Sequence, residues 1–281
     1  MSSWSRPKSL KPIFRPISGV RIANLATAQR QATRYEKLTK KLTRFMYRFP
    51  PFNPSSGRRC DFPTGSIFND DSLEIIKKLP AASVDCIITD PPYFLGMTHN
   101  GQKGNFKDLS ICRPFYRDLF QEFARVAKPE ACIYFFCDWR SYAFYYPIFD
   151  EVLKAHNMLV WNKLSGPGNH YAFIHELVLF HAGKGANIGG TNIIAGVKAF
   201  ASGAKSVDGA KVHPAQKPVD LIAKFINDSC PPEGVVLDTF GGSGTTAVAA
   251  VRTGRRFILM EQDEGYFLTA CKRLEDEYRS E

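Results

Sequence analysis

From residue 65 to residue 278 short apolar runs alternate with segments of helical period, and that alternation leaves few architectures open to the chain. Candidate strands lie near 65–69, 84–89, 131–137, 158–163, 176–182, 235–240 and 256–261, with helices near 72–79, 115–127, 140–156, 217–229, 244–253 and 264–278. Strands separated by helices pair in parallel beneath helices on both faces, so the expected fold is α/β, a doubly wound and mostly parallel sheet. No helix separates the strands near 158 and 176, which predicts an antiparallel edge pair. A chain of 281 residues is long enough for one large core with an appendage.

The apolar run Val84–Thr89 ends in Asp90-Pro91-Pro92-Tyr93, at the position where open α/β sheets bind ligands. The Asp90 side chain and the Pro91 carbonyl are acceptors, and the rigid Pro91-Pro92 turn can aim both at one planar NH2 group. Tyr93 offers a face on which a ring can stack. Acceptors on both hydrogens of an exocyclic amine favour its pyramidal, nucleophilic form during attack, so neither a metal nor a covalent intermediate is expected. Taken alone, the four residues also fit a strand that closes in an ordinary proline turn.

A second signal lies downstream, where the strand Val235–Asp238 runs through Thr239-Phe240-Gly241-Gly242-Ser243-Gly244 into the helix that opens with Thr245-Thr246. Glycines there let backbone N–H groups approach a ligand closely. The next strand, Arg256–Met260, ends in Glu261, placed to accept from ribose hydroxyls. Gly242-x-Gly244-x-x-Ala247 with Glu261 also satisfies a loose dinucleotide fingerprint. A phosphate loop of the Walker type is excluded because Gly-Lys-Ser/Thr does not follow the glycines. A dehydrogenase has no use for Asp90-Pro91-Pro92-Tyr93 at a neighbouring strand end.

The segments Asn69–Pro80, Ser83-Val84-Asp85, Asp90–Tyr93, Phe135–Arg140, Val160-Trp161-Asn162-Lys163, His175-Glu176, His213–Pro218 and Asp238–Thr246 occur in an order that resembles the S-adenosylmethionine-dependent DNA amino-methyltransferases in their β arrangement. The resemblance spans residues 65 to 275. It implies a Rossmann-like methyltransferase fold with circularly permuted motif order and the strand ending at Asp238 beside the one ending at Asp90. It also implies catalysis by Asp90, Pro91, Pro92 and Tyr93 on a flipped base. The implied cofactor, S-adenosylmethionine, would be held by Asp71, Asp90, His213, Gln216, Lys217, Asp238, Phe240, Gly241, Gly242, Ser243, Gly244, Thr245, Thr246 and Glu261. Within that set, Asp71 would close the adenosine side, His213, Gln216 and Lys217 would lie beside the methionine part, and Asp238 near its amino group. Thr239 stands where the family usually has Pro, which could loosen the turn, and Ala215 where it has Thr. Asp as the first motif residue leans towards the N6 amine of adenine. The N4 amine of cytosine, an RNA amine and an inactive DNA-binding relative remain as alternatives.

Composition agrees with a cytosolic enzyme acting on a polyanion, and the resemblance implies the cytoplasm of a prokaryotic cell or of a phage-infected host. Residues 1 to 59 hold 14 Lys or Arg against the single acid Glu36, a net of +13, whereas the whole chain is +10 and the remainder therefore −3. Residues 1 to 60 are accordingly expected to form a basic arm and linker, with DNA phosphates as its partner. Residues from about 22 to 49 could form a helix within that arm, and a solvated tail with no partner and an organelle transit peptide are the competing readings. Residues 61 to 281 would form the catalytic domain, with a short target-recognition insertion near 183–211. An insertion this short predicts a short or relaxed target sequence, supplemented by the arm or by a second subunit in a homodimer. The loop 94–113 is expected to close over the flipped nucleotide. Cys60, Cys86, Cys112, Cys132, Cys137, Cys230 and Cys271 lack a Cys-x-x-Cys pair, and no Pro-Cys dipeptide supplies a nucleophile for methylation at carbon. His175 and His181 are expected to be structural histidines, Trp161 to be core, and no apolar run approaches membrane-spanning length.

Overall fold

The computed structural model describes residues 58–92, 98–99, 102–103, 112–164, 166, 168, 170–197 and 216–280. All lie in the second of two compact units, Phe49–Glu281. The basic arm, Tyr93, most of the 94–113 loop, His213 and residues 198–211 of the insertion lie outside the described residues.

Strands β1 (Arg58–Phe62), β2 (Gly65–Asn69), β3 (Val84–Thr89), β6 (Ala127–Cys137), β7 (Asn157–Asn162), β8 (His175–His181), β9 (Ile193–Ile194), β10 (Val235–Asp238) and β11 (Arg256–Met260) form one nine-stranded sheet, and β4 (Thr98–His99) pairs with β5 (Gln102–Lys103) apart from it. The order is β1-β2-β11-β10-β3-β6-β8-β7-β9. Pairing is parallel from β2 through β6. Every residue of β3 is buried, as expected of a central parallel strand covered on both faces.

Helices α1 (Ser72–Ile76), α2 (Arg113–Val126) and α3 (Tyr142–Leu153) cover one face, and α4 (Val219–Ser229), α5 (Thr245–Arg252) and α6 (Glu264–Ser280) the other. The period-2 alternation of β6 separates the two cores. Ile133, Phe135 and Cys137 meet Phe120, Phe123 and Phe149 on the first face, while Tyr134 and Phe136 meet Phe225 on the second. In α2 the buried Tyr116, Leu119, Phe120, Phe123 and Val126 recur at helical spacing behind a proline in the first turn. Rings buried as completely as Phe120 contribute about 1.5 to 3 kcal/mol each. From Thr245 to Val251 every side chain of α5 is buried, which its small residues permit against both the sheet and α6.

The strands near 158 and 176 pair antiparallel as expected, but they are not a bare edge. β8 is bonded to β6 on its other side, and the chain returns through the glycine-rich segment to lay β9 beside β7. Two further differences have the same origin in non-local pairing. β1 adds an antiparallel strand at the opposite edge, and β6 starts at Ala127, where Val84 of β3 pairs with it across a register shift. The exposed Pro129-Glu130 hides that first part of β6 from a search for apolar runs.

Because β2, β11, β10, β3 and β6 point the same way, Asn69, Glu261, Asp238, Asp90 and Asp138 gather at the carboxyl end of the sheet. β8 runs in the opposite sense and brings its first residues, His175 and Glu176, to that end as well.

Candidate active site

Asp90 and the glycine-rich turn meet because β3 and β10 are neighbours, with Leu237 opposite Ile87. Thr89, the last residue of β3, makes the join. Its hydroxyl donates to Asp238 Oδ1 at 2.9 Å, lies 3.1 Å from Thr239 Oγ1 and accepts from Thr239 N at 3.3 Å. Proline at 239 would have no N–H to place, whereas threonine needs an acceptor there and Thr89 supplies it. The departure at Thr239 is thereby compensated, and the residue is 1% exposed.

Asp238 is almost wholly buried, and its carboxylate is met by donors on both oxygens. Thr89 Oγ1 and Phe240 N reach Oδ1, and Thr246 Oγ1 reaches Oδ2 at 2.6 Å. Burial pushes its carboxyl up to about 6 despite these hydrogen bonds. Asp238 thus ties the turn to β3 and α5.

Asp90, by contrast, faces an ion-pair network. Lys217 Nζ pairs with Asp90 Oδ2 and, at 3.1 Å, with Glu176 Oε2, and Lys163 Nζ lies 3.3 Å from Glu176 Oε1. Lys217 is 6% exposed and its ammonium sits 5.2 Å from the centre of the Phe136 ring. Burial alone would lower the Lys217 ammonium, but Asp90 and Glu176 outweigh it and hold it above its ordinary range. Pro91 is buried and Pro92 exposed, consistent with a turn that leaves the sheet at Asp90.

The turn after β10 has the shape that close approach of a ligand needs. Gly242 has φ +51° and open space where a Cβ would stand, and Gly244 has φ +85°. A Cβ on Gly241 would lie 2.4 Å from the Leu259 side chain, so glycine there lets the turn rest on β11. Arg273 of α6 braces the same turn. It donates to Ser243 O at 3.3 Å and Thr245 Oγ1 at 3.1 Å, and Gln216, with its amide oxygen turned towards it, accepts from the two terminal guanidinium nitrogens, Nη1 and Nη2, at 3.2 Å. The left-handed glycines, the open cradle at Gly242 and the adjoining acids fit an adenosine-containing cofactor.

Two of the residues expected to hold the cofactor have structural partners of their own. Glu261 Oε2 accepts from Gly242 N at 2.7 Å and Oε1 from Asp263 N at 2.8 Å, while burial raises its carboxyl. Asp71 Oδ1 caps α1 by accepting from Leu73 N at 2.8 Å and Glu74 N at 3.2 Å. Asn69 ties the two strand ends together, donating to Glu261 O and Gln262 O.

Of the residues expected from sequence, Asp90, Lys217, Asp238, Phe240, Thr246 and Glu261 lie at one end of the sheet with the glycine turn. Tyr93 and His213 lie outside the described residues. Three participants have no role assigned from sequence: Thr89, Glu176 and Arg273. A carboxylate entering the apolar run Leu177–Phe180, in a segment that already carries the family resemblance, is a sequence signal that could have found the role of Glu176.

The profile of the DNA methylase family that modifies N6 and N4 amines matches residues 84–272, from the start of β3 into α6. The chain belongs to that family. This DNA methylase is 28% identical over 244 residues to the DNA adenine methyltransferase YhdJ of Escherichia coli strain K12, a match covering 75% of this chain and 82% of the relative. Among solved structures, the M1.HpyAVI complex with S-adenosylmethionine is 29% identical, has a TM-score of 0.55, and is matched over 74% of this chain and 98% of the other. The cytosine-N4-specific PvuII DNA methyltransferase, at 17% identity, shares the fold with a TM-score of 0.59 over 77% of this chain and 92% of the other.

Proposed function

We propose that this DNA methylase transfers the methyl group of S-adenosylmethionine to the N6 amine of adenine. The observation that carries the reading is the placement of Asp90 at the end of β3 directly beside the glycine turn of β10, with Thr89 joining the two. The likeness to YhdJ and to the M1.HpyAVI complex supports substrate and cofactor respectively.

When bound, the cofactor supplies an electrophilic methyl group on its sulfonium. Gly242 and Gly244 admit it to the turn, with Glu261 and Asp71 on the adenosine side. Asp90 and the Pro91 carbonyl accept from the two hydrogens of the target amine and so direct the nitrogen lone pair at the methyl carbon. Tyr93 stacks on the base, which must leave the duplex because its amine cannot otherwise meet the donor in line. Asp90 takes up the released proton, directly or through water. Holding both reactants in place supplies much of the rate.

Cytosine N4 is the second reading, favoured because the matching family covers both amines and Asp90 with the Pro91 carbonyl would serve either one. We further propose that the basic arm binds DNA, that a homodimer extends the short recognition segment, and that the protein works in the cytoplasm. Among the described residues no helix is long and apolar enough to cross a membrane.

Asp90→Ala and Tyr93→Ala test the reading together. Both variants should retain S-adenosylmethionine binding by calorimetry and show methyl transfer to DNA reduced by at least about 100-fold. Wild-type turnover in Asp90→Ala would remove Asp90 from the mechanism.

A further inference from the structure

We propose that Glu176, acting through Lys217, is a positioning residue for Asp90, and that the alternating row Asp90, Lys217, Glu176 and Lys163 fixes the rotation of the Asp90 carboxylate and balances its charge. The proposal rests on the reading of Asp90 as the acceptor for the substrate amine.

The row is assembled from four separate places in the chain: the turn after β3, the segment entering α4, the start of β8 and the residue after β7. Lys217 is the member almost wholly removed from solvent, and a buried ammonium must be met by acceptors of the protein. An ammonium is a compact point charge on a flexible stem, so one carboxylate alone does not fix where it sits. Glu176 holds it from a second side. Glu176 is itself held, because Oε1 faces Lys163 at 3.3 Å while Oε2 faces Lys217 at 3.1 Å. Two ammonium groups and two carboxylates then alternate with no net charge. Lys217 engages Asp90 Oδ2, which restrains the rotation of the carboxylate. An acceptor that must meet an amine hydrogen during attack is useful only in the correct orientation, and displacement by about 1 Å can cost 100-fold in rate.

The same row controls the field at Asp90. Among the described residues the other ionisable groups around it are Asp238 on β10 and Cys137 on β6, with Asp138 beyond, paired to Arg140 at 3.0 Å. Burial pushes the Cys137 thiol up, so it stays neutral. Among the described residues Lys217 is the cation that pairs with Asp90, and Glu176 competes for it. Neutralising Glu176 leaves Lys217 to Asp90 and favours the Asp90 carboxylate to lower pH. Removing the Lys217 ammonium has the opposite effect.

The test uses the full chain with 13C-labelled aspartate carboxyls, the Asp90 signal being assigned by its disappearance in Asp90→Asn. Carboxyl titrations and single-turnover methyl transfer from labelled S-adenosylmethionine to DNA are followed against pH in Glu176→Gln, Lys217→Met and Lys217→Arg. In Glu176→Gln the Asp90 titration and the acid limb of the rate profile should both move to lower pH. In Lys217→Met both should move to higher pH, with partial recovery in Lys217→Arg. The transfer rate should fall on the order of 10- to 100-fold in Glu176→Gln at unchanged cofactor affinity. Should Lys217→Met not fold, the near-isosteric Glu176→Gln decides. An unmoved Asp90 titration in a folded Glu176→Gln protein overturns the proposal. So does weakened cofactor binding at an unchanged transfer rate, which would assign Lys217 to the cofactor. A wild-type protein that labels no DNA refutes the functional reading; the carboxyl titration then decides the link between Glu176 and Asp90 by itself, a shift supporting it and a static signal overturning it.

Discussion

Asp238 has both a structural and a titratable part to play at the centre of the site. Its carboxyl is raised to about 6, chiefly by burial, against an ordinary 3.8. Between those two values the folded protein holds a proton that the unfolded chain has released, so stability is greatest below about pH 4 for this group and falls as pH rises to about 6. The decrease is on the order of 2 to 3 kcal/mol. Asp238→Asn should flatten that part of the curve of unfolding free energy against pH, measured by urea denaturation without cofactor; an unchanged slope would show that another group titrates there. At this scale Asp90 was legible in the sequence because a carboxylate before two prolines has a local meaning. The roles of Thr89 and Glu176 were not. Their partners, Asp238 and Lys217, stand far along the chain, and only the pairing of β3 with β10 and the reversal of β8 bring them together.

The strands and helices that position the site were largely legible, since burial on both sheet faces writes continuous apolar runs such as Val84–Thr89 and helical spacing such as that of α2. β1 escaped because Arg58-Arg59-Cys60-Asp61-Phe62 is too polar to read as an apolar run, and β9 because it is two residues long; each owes its strand geometry to a neighbour, β2 for one and β7 for the other. The turn from β10 into α5 shows why glycine identity matters to an element. Gly244 combines φ +85° with a position where a Cβ would come within 2.9 Å of the Ala270 Cβ on α6. Gly244→Ala should lower the free energy of unfolding by about 2 to 4 kcal/mol, from left-handed strain and overpacking together, and weaken cofactor binding because the turn must shift. Urea denaturation and calorimetry check both effects. Wild-type stability would mean that α6 gives way without resistance.

For the whole molecule the central fact is the division of charge between a basic N-terminal segment and a catalytic unit whose own balance is acidic. Residues 1–57 contain 12 Lys or Arg. Their deletion should leave cofactor affinity intact and weaken binding to duplex DNA. The slope of log affinity against log salt should become shallower by about 0.9 for each phosphate that the segment neutralises. Fluorescence anisotropy at several salt concentrations measures it, and an unchanged slope would mean that the segment does not touch DNA. The catalytic unit brings Asp90 and the glycine turn to adjacent strand ends, so the chemical identity of the product tests the proposed reaction most directly. Unmethylated DNA is incubated with S-adenosylmethionine labelled in its methyl group, digested to nucleosides and analysed by mass spectrometry, with RNA treated in parallel. Label should appear in N6-methyladenine from DNA and vanish in Asp90→Ala; label in N4-methylcytosine, in RNA alone, or in no nucleoside would contradict adenine N6 transfer.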